Sequence, residues 1–300
     1  MKRLACVGIL LFCLPPLLHA QQAQQPQFLR VKEDDGKVTA LEIAVTRYSN
    51  RRKDLTVDLV GVVHIADRAY YQQLNKRLAE YDAVLYELVA PPGTRVPEGG
   101  KKDSTAAMLA SLMTTFLGLD SQLACIDYRP KHFIHADLSF EGMMEAARER
   151  GETGLTLGLS LLSDMLRKQN VASRKKDREP GPPSDVDFAA MLANPNLLKR
   201  DLARQLVGEA DLGPTLQLLL VADRNKMACE VLAEQIAGGK KKIAIFYGAA
   251  HMPDFDRRLR EEFSLRRQSQ DWLTAWDLRD DSKSDPALRL KSLLEKLIEK

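Results

Sequence analysis

The chain predicts an α/β protein: a mixed, mostly parallel central sheet flanked by helices, with a helical, lid-like insertion. Three observations carry this reading. Residues 55–63 and 82–89 are apolar runs separated by a polar helical pattern, and strand, helix and strand in about thirty residues is the length of a βαβ unit. Residues 243–247, Ile-Ala-Ile-Phe-Tyr, form a short apolar run of the kind expected for a parallel strand buried on both faces. From about 152 to 238 the periodicities are helical only.

The elements follow in order. Residues 28–31 and 38–48 alternate apolar and polar about Asp34-Asp35-Gly36, which predicts a hairpin. Arg51-Arg52-Lys53 makes a second turn into the 55–63 strand, so the sheet starts antiparallel. Asp67 stands where a helix N-cap belongs, ahead of Tyr70, Tyr71, Leu74, Leu78 and Tyr81 at helical spacing. The 82–89 strand stops at Pro91-Pro92-Gly93, and residues 91–103 read as a surface loop. Residues 104–119 read as an apolar helix and residues 123–128 as a short β-like run. His132, His135 and Asp137 could be read as metal ligands, but histidines at i and i+3 without a helical frame read rather as a surface loop. Asp137 or Ser139 would then cap a helix over 140–150.

Residues 155–169, 185–193, 196–207 and 214–237 carry helical patterns, interrupted by a charged, Pro-broken linker at 173–184. Gly238-Gly239 closes the last helix. Helix is expected again over 254–263, a final strand over 272–278, and an amphipathic helix over 286–300. The domain reading is a signal peptide at 1–20, a flexible leader at 21–27 and an α/β domain at 28–281. The insertion falls at about 139–238 and the terminal helix at 282–300.

Lys2 and Arg3, the apolar residues 4–18 and Leu18-His19-Ala20 have the layout of a secretory signal with cleavage near Ala20, which implies a secreted or periplasmic protein. No later run is long and apolar enough to predict a membrane span. Cleavage removes Lys2 and Arg3 and no acidic residue, so 44 basic and 41 acidic residues become 42 and 41, a net charge of +1. That balance argues against nucleic acid as a partner. Cys125 and Cys229 are then the two remaining cysteines, too few for a disulfide framework, and one bridge or two separate thiols are equally compatible with the sequence.

Chemistry is suggested by a repeated pattern. Gly61-Val62-Val63-His64 and Gly248-Ala249-Ala250-His251 each follow an apolar run, and each histidine has an aspartate three residues on, Asp67 and Asp254. A glycine there permits close backbone approach, and a histidine three positions later lands at the carboxyl end of the strand, where open α/β sheets bind ligands. One such motif alone is more simply a hydrogen-bonded core histidine; two with matching context point to a site. Glu87 ends the 82–89 run, and a buried carboxylate must be paired, protonated or metal-bound. Arg224 interrupts an apolar helical stretch, which fits equally a site facing inward and an exposed helix face or an ion pair with Glu87. Two histidines and a carboxylate, His64, Glu87 and His251, are a familiar divalent-metal ligand set. A metal-free scheme, with Glu87 orienting a histidine that acts as general base, is equally economical. There is no nucleophile elbow, zincin motif, P-loop or dinucleotide fingerprint.

These residues resemble the TraB/GumN family, which includes the Tiki proteins. The resemblance rests on the two Gly-x-x-His motifs, Glu87, Arg224-Asn225 and Tyr247, together with Tyr128-Arg129-Pro130 and Ala136-Asp137-Leu138-Ser139, and spans roughly residues 55–265. It implies a fold related to haem-binding ChaN-like and erythromycin-esterase-like proteins. It also implies a metal-dependent peptidase favouring manganese or cobalt, with His64, Glu87 and His251 as the catalytic and metal set and Arg224 assisting. Some members carry transmembrane segments, whereas this chain offers only a signal peptide. The expected partner is a peptide or small-molecule substrate; the alternative function is a non-catalytic protein that sequesters a peptide or a haem-like ligand.

Overall fold

A computed structural model of the chain describes residues 26–96, 114, 117–153, 155–160, 163–164, 195–208 and 214–279. The expected signal peptide, the linker at 173–184, the helices at 104–113 and 185–193, and the terminal helix lie outside the described residues.

The chain opens with the expected hairpin, β1 (Leu29–Asp34) and β2 (Lys37–Ser49), in antiparallel register. Asp35 and Gly36 both take positive φ, 51° and 74°, the geometry a tight two-residue hairpin turn demands. β2 is long enough to serve three partners. It pairs antiparallel with β1 through its first half, with β3 (Thr56–Val62) through its second, and with the last strand along most of its length. From β3 the sheet turns parallel. β8 (Lys242–Gly248) lies beside β3, β5 (Ala83–Tyr86) beside β8, and β7 (Phe133–His135) beside β5. The strand order is β1-β2-β3-β8-β5-β7, with β9 (Arg266–Asp277) on β2, a mixed sheet whose parallel half was expected from its apolar runs. A short second sheet pairs β4 (Ile65–Ala66) with β6 (Asp120–Ser121).

Alternation along the buried strands sorts the core into two layers. Ala244 and Phe246 face one layer with Val60, Val62 and Val84, covered by Tyr70, Tyr71, Leu74 and Leu78 of α1 (Arg68–Leu78). Ile243, Ile245 and Tyr247 face the other with Leu59 and Leu85. That second face is covered by Ala228, Cys229 and Leu232, and by Met252, Phe255 and Leu259. Helices on both faces of the sheet make this an α/β architecture.

Several local expectations change. Residues 123–128 are not a strand: Ser121 Oγ accepts from Ala124 N at 3.3 Å and opens a single helical turn, α2 (Gln122–Cys125), before the chain extends again. His132 lies in the turn before β7, half-buried, but His135 is not in a surface loop. β7 carries His135, whose Nε2 lies 2.6 Å from Leu88 O, and His132 Nε2 lies 3.2 Å from Leu78 O. Asp67 precedes α1 but makes no capping bond; its Oδ2 instead accepts from Asp277 N at 2.6 Å and pins β9. Ser139, not Asp137, caps α3 (Phe140–Glu149), accepting from Gly142 N at 3.0 Å. Asp254 stands in the first turn of its helix without capping it.

The later helices are α4 (Pro195–Gly208), α5 (Pro214–Gln217), a π-helical turn at Leu218–Ala222, and α6 (Asp223–Ala237). A 3₁₀ turn (Ala249–His251) then leads from β8 into α7 (Met252–Glu261). Gly239, at φ 84°, ends α6 as the sequence predicts. Cys125 and Cys229 are separate free thiols. No helix among the described residues is long and apolar enough to cross a membrane.

Candidate active site

Three adjacent parallel strands deliver the sequence-predicted residues to one edge. Val62 of β3 is level with Gly248 of β8, and Tyr86 of β5 with Phe246. His64 therefore leaves the sheet two residues past its rung, His251 three past its own, and Glu87 directly after β5. Glu87 N still donates to Phe246 O, at 3.2 Å.

Behind that edge lies a buried charged cluster. Arg224, in the first turn of α6, donates from Nε and Nη2 to the two oxygens of Asp137 at 2.8 and 2.7 Å. Its Nη2 also donates to Glu87 Oε1 at 2.7 Å, and its Nη1 to Leu220 O at 3.2 Å, inside the π-helical turn. Nη1 further lies 3.4 Å from His251 Nε2. All five guanidinium N–H groups thus have protein partners. Glu87 Oε2 accepts from Gly248 N at 2.7 Å, and Oε1 lies 3.5 Å from His251 Nε2. A Cβ on Gly248 would stand 3.2 Å from Glu87 Oε2, which is why this position of the motif is glycine. The Arg224, Glu87 and Asp137 side chains are 7%, 12% and 0% exposed.

Burial pushes the Glu87 carboxyl up, but His251, Arg224 and the Gly248 amide outweigh it and hold the group well below the usual carboxylate range. Burial by itself lowers the Arg224 pKa, yet Asp137 and Glu87 drive it above the ordinary guanidinium value. The cluster is charged, and its geometry is fixed by mutual pairing.

The two Gly-x-x-His imidazoles share one arrangement. His251 Nδ1 lies 2.6 Å from Asn225 Oδ1, and the Asn225 amide nitrogen donates to His251 O and to Asp254 Oδ2 at 3.1 and 3.0 Å. His64 Nδ1 lies 3.0 Å from Gln122 Oε1, and the Gln122 amide nitrogen donates to the Tyr128 hydroxyl at 2.9 Å. With each amide nitrogen committed elsewhere, the amide oxygen faces the ring and accepts from Nδ1–H. For His64 that leaves Nε2 as the nitrogen without a protein partner among the described residues, whereas the Nε2 of His251 faces Arg224 Nη1 and Glu87 Oε1. His251 is buried beside Glu87, whereas His64 is exposed. Tyr128 connects the two halves: its ring packs 5.1 Å from that of Tyr86, the neighbour of Glu87, and burial together with the Glu87 charge raises its hydroxyl pKa.

Comparison with protein-family models, with curated proteins and with solved structures found no match.

The structure brings Glu87, Arg224 and His251 into contact and sets His64 at the same edge on its own amide partner. In the arrangement seen, no three His, Cys, Asp or Glu residues among those described converge as a metal-ion ligand group. The donor chemistry nevertheless suits a divalent metal in one respect. Both imidazoles are anchored through Nδ1, as ligand histidines are. Against it, Glu87 Oε1 already carries the Arg224 guanidinium. Gln122 carries no signal in the sequence as a site residue, and the metal-ligand reading of Asp137 beside His132 and His135 gives way there to a surface loop. Gln122 stands just before the stretch that reads as β-like, and Asp137 looks like a helix cap. Asn225 carried a signal, standing next to Arg224 on one helical turn, and Tyr128 stands at the end of that same β-like stretch.

Proposed function

We propose that this chain is a hydrolase of the peptidase kind, with His64, Glu87 and His251 as its working residues and Arg224 as the strut that positions Glu87. The observation that carries the reading is the matched pair of imidazoles. Two histidines from adjacent parallel strand ends are each anchored through Nδ1 by a side-chain amide, which fixes the aim of Nε2 in both rings. A histidine serving only the core has no need of that repetition.

In this scheme the exposed His64 Nε2 takes a proton from water while the water oxygen bonds to the substrate carbonyl carbon. The proton then passes to the leaving amine as its bond to that carbon breaks. Glu87 and His251 form the fixed polar wall against which the carbonyl carbon is presented. A divalent ion, manganese or cobalt by the TraB/GumN resemblance, would be held by His64, Glu87 and His251 and would polarise the carbonyl and acidify the water. Secretion or export to the periplasm belongs to the same proposal, resting on the sequence of residues 1–20.

Metal analysis and peptide cleavage on purified mature protein test the reading, beside His64→Ala and His251→Ala with folding checked by circular dichroism. Expected is divalent metal, or metal-stimulated cleavage of an unstructured peptide, lost in both variants. Absence of both bound metal and turnover in wild type would overturn it. A second reading, a protein that sequesters a peptide or haem-like ligand without chemistry, is favoured by one observation: Arg224 and Glu87 are saturated by internal bonds. Ligand retention undiminished by Glu87→Gln, with no turnover, would select it.

A further inference from the structure

At the opposite end of α7 from His251, and so at the amino edge of the parallel strands, lies an open depression of about 430 Å³. The ten residues of α7 place it about 15 Å from the candidate active site. Its wall is Arg51 from the β2–β3 turn, Arg260 from the last turn of α7, Ser264 and Leu265 from the loop, and Arg266 and Arg267 at the start of β9. Four guanidinium groups share one concavity, and no carboxylate lines it.

The charges are unequally compensated. Asp256, buried beneath, accepts from Arg260 Nε at 3.1 Å and from Arg267 Nη2 at 3.3 Å, and its Oδ1 also accepts from the Tyr48 hydroxyl at 2.5 Å. One carboxylate therefore serves two arginines. Arg51 and Arg266 pair with no carboxylate among the described residues, and both are exposed. Arg267 is held half-buried over the Phe28 and Tyr48 rings, 5.3 and 6.0 Å from their centres, so its fork is fixed rather than free to swing away.

The loop adds a hydroxyl at a cost. Ser264 has φ 53°, at the left-handed position that ends a helix and is ordinarily glycine, and Leu265 N closes the turn on Leu259 O at 2.9 Å. A glycine would serve that turn with less strain; serine puts an O–H donor in the pocket wall. Non-glycine residues in strained backbone concentrate at ligand sites.

We propose that this depression is a binding site for a phosphate-bearing ligand, a phosphate ester or diphosphate. Guanidinium forks match phosphate oxygens two at a time, and a dianion offsets the surplus of about three positive charges that a monocarboxylate would leave largely unbalanced. The volume falls in the range of small-molecule pockets and exceeds what one inorganic phosphate fills. The phosphate can belong to a soluble molecule or to a lipid headgroup.

Titration calorimetry of the mature chain with inorganic phosphate and with pyrophosphate tests the first source. Flotation with vesicles of phosphatidylglycerol, against phosphatidylcholine alone, tests the second. Expected is saturable binding of one pyrophosphate per chain, or selective binding to the anionic vesicles, weakened at least tenfold in Arg51→Ala/Arg266→Ala. These exposed positions leave the fold intact, which circular dichroism checks. The charge-conserving pair Arg51→Lys/Arg266→Lys separates a built site from diffuse attraction, and several-fold weakening is expected there too. No saturable binding in either arm, or binding undiminished by the alanine pair or by the lysine pair, overturns the proposal.

Discussion

At the residue scale, the decisive groups are the amides behind the histidines. An imidazole whose Nδ1–H is anchored has a defined tautomer and a defined aim; without the anchor it has neither. Gln122→Leu removes the acceptor from His64 and leaves the Tyr128 hydroxyl without its donor. Loss of an orienting partner of this kind costs about 10–100-fold in activity or metal affinity. The expected result is a fall of that size in peptide turnover with a circular dichroism spectrum like wild type. Arg224 is a different case. It is shared by two carboxylates in a nearly dry interior, so Arg224→Ala removes the guanidinium from both Glu87 and Asp137. Removing one partner of a buried ion pair costs about 3–5 kcal/mol. Urea denaturation is expected to show a loss of that order, and Asp137→Asn a smaller one. The sequence made Arg224 visible because a cation interrupted an apolar helical stretch. Asp137 is harder to place: beside its reading as a ligand, an aspartate just before a helix has a simpler local explanation, the cap that Ser139 turns out to supply.

At the element scale, the motif glycines do two separate jobs. Gly61 lies inside β3, where a Cβ would meet Ile43 Cγ2 at 2.9 Å and Ala44 O at 3.2 Å. Neither neighbour has room to yield, since one is a branched core side chain and the other backbone. Gly61→Ala is expected to destabilise by about 1–3 kcal/mol, the usual result of overpacking, read as a lowered thermal midpoint. At Gly248 the added Cβ would press on the Glu87 carboxylate, 3.2 Å away, while the sheet itself is untouched. Gly248→Ala is therefore expected to lower turnover far more than the thermal midpoint, which separates the two glycines by assay. The strands were legible because β-branched apolar runs have few alternatives: β3, β8 and the hairpin fall where the pattern puts them. The run at 123–128 was misread because apolar residues in a six-residue window cannot tell a helical turn from a strand. The Ser121 cap decides the matter through a single hydrogen bond. β7 was missed for the opposite reason. Phe-Ile-His is only three residues long, and it becomes a strand because β5 is there to pair with it.

At the scale of the whole molecule, the buried Glu87 cluster ties the parallel half of the sheet to α6 and to the turn before α7, so its charge state bears on global stability. The Glu87 carboxyl is depressed in the folded protein below its ordinary value of 4.5. A depressed acid binds fewer protons folded than unfolded. Its stabilising contribution is complete above about 4.5 and declines as pH falls below that value toward the folded pKa. Asp254, held down by Arg258 and Arg257 despite its burial, adds to the same trend. Asp67 opposes it: burial raises its carboxyl, so protonation relieves a cost there as pH falls. Comparing wild type with Glu87→Gln isolates the first contribution, since both proteins keep Asp254 and Asp67. Thermal midpoints measured between pH 6 and pH 3 should fall more steeply for wild type, the two curves converging at the acid end. Parallel curves would mean that Glu87 is as easily protonated in the folded chain as in the unfolded one, and that Arg224 and the Gly248 amide do not hold its charge.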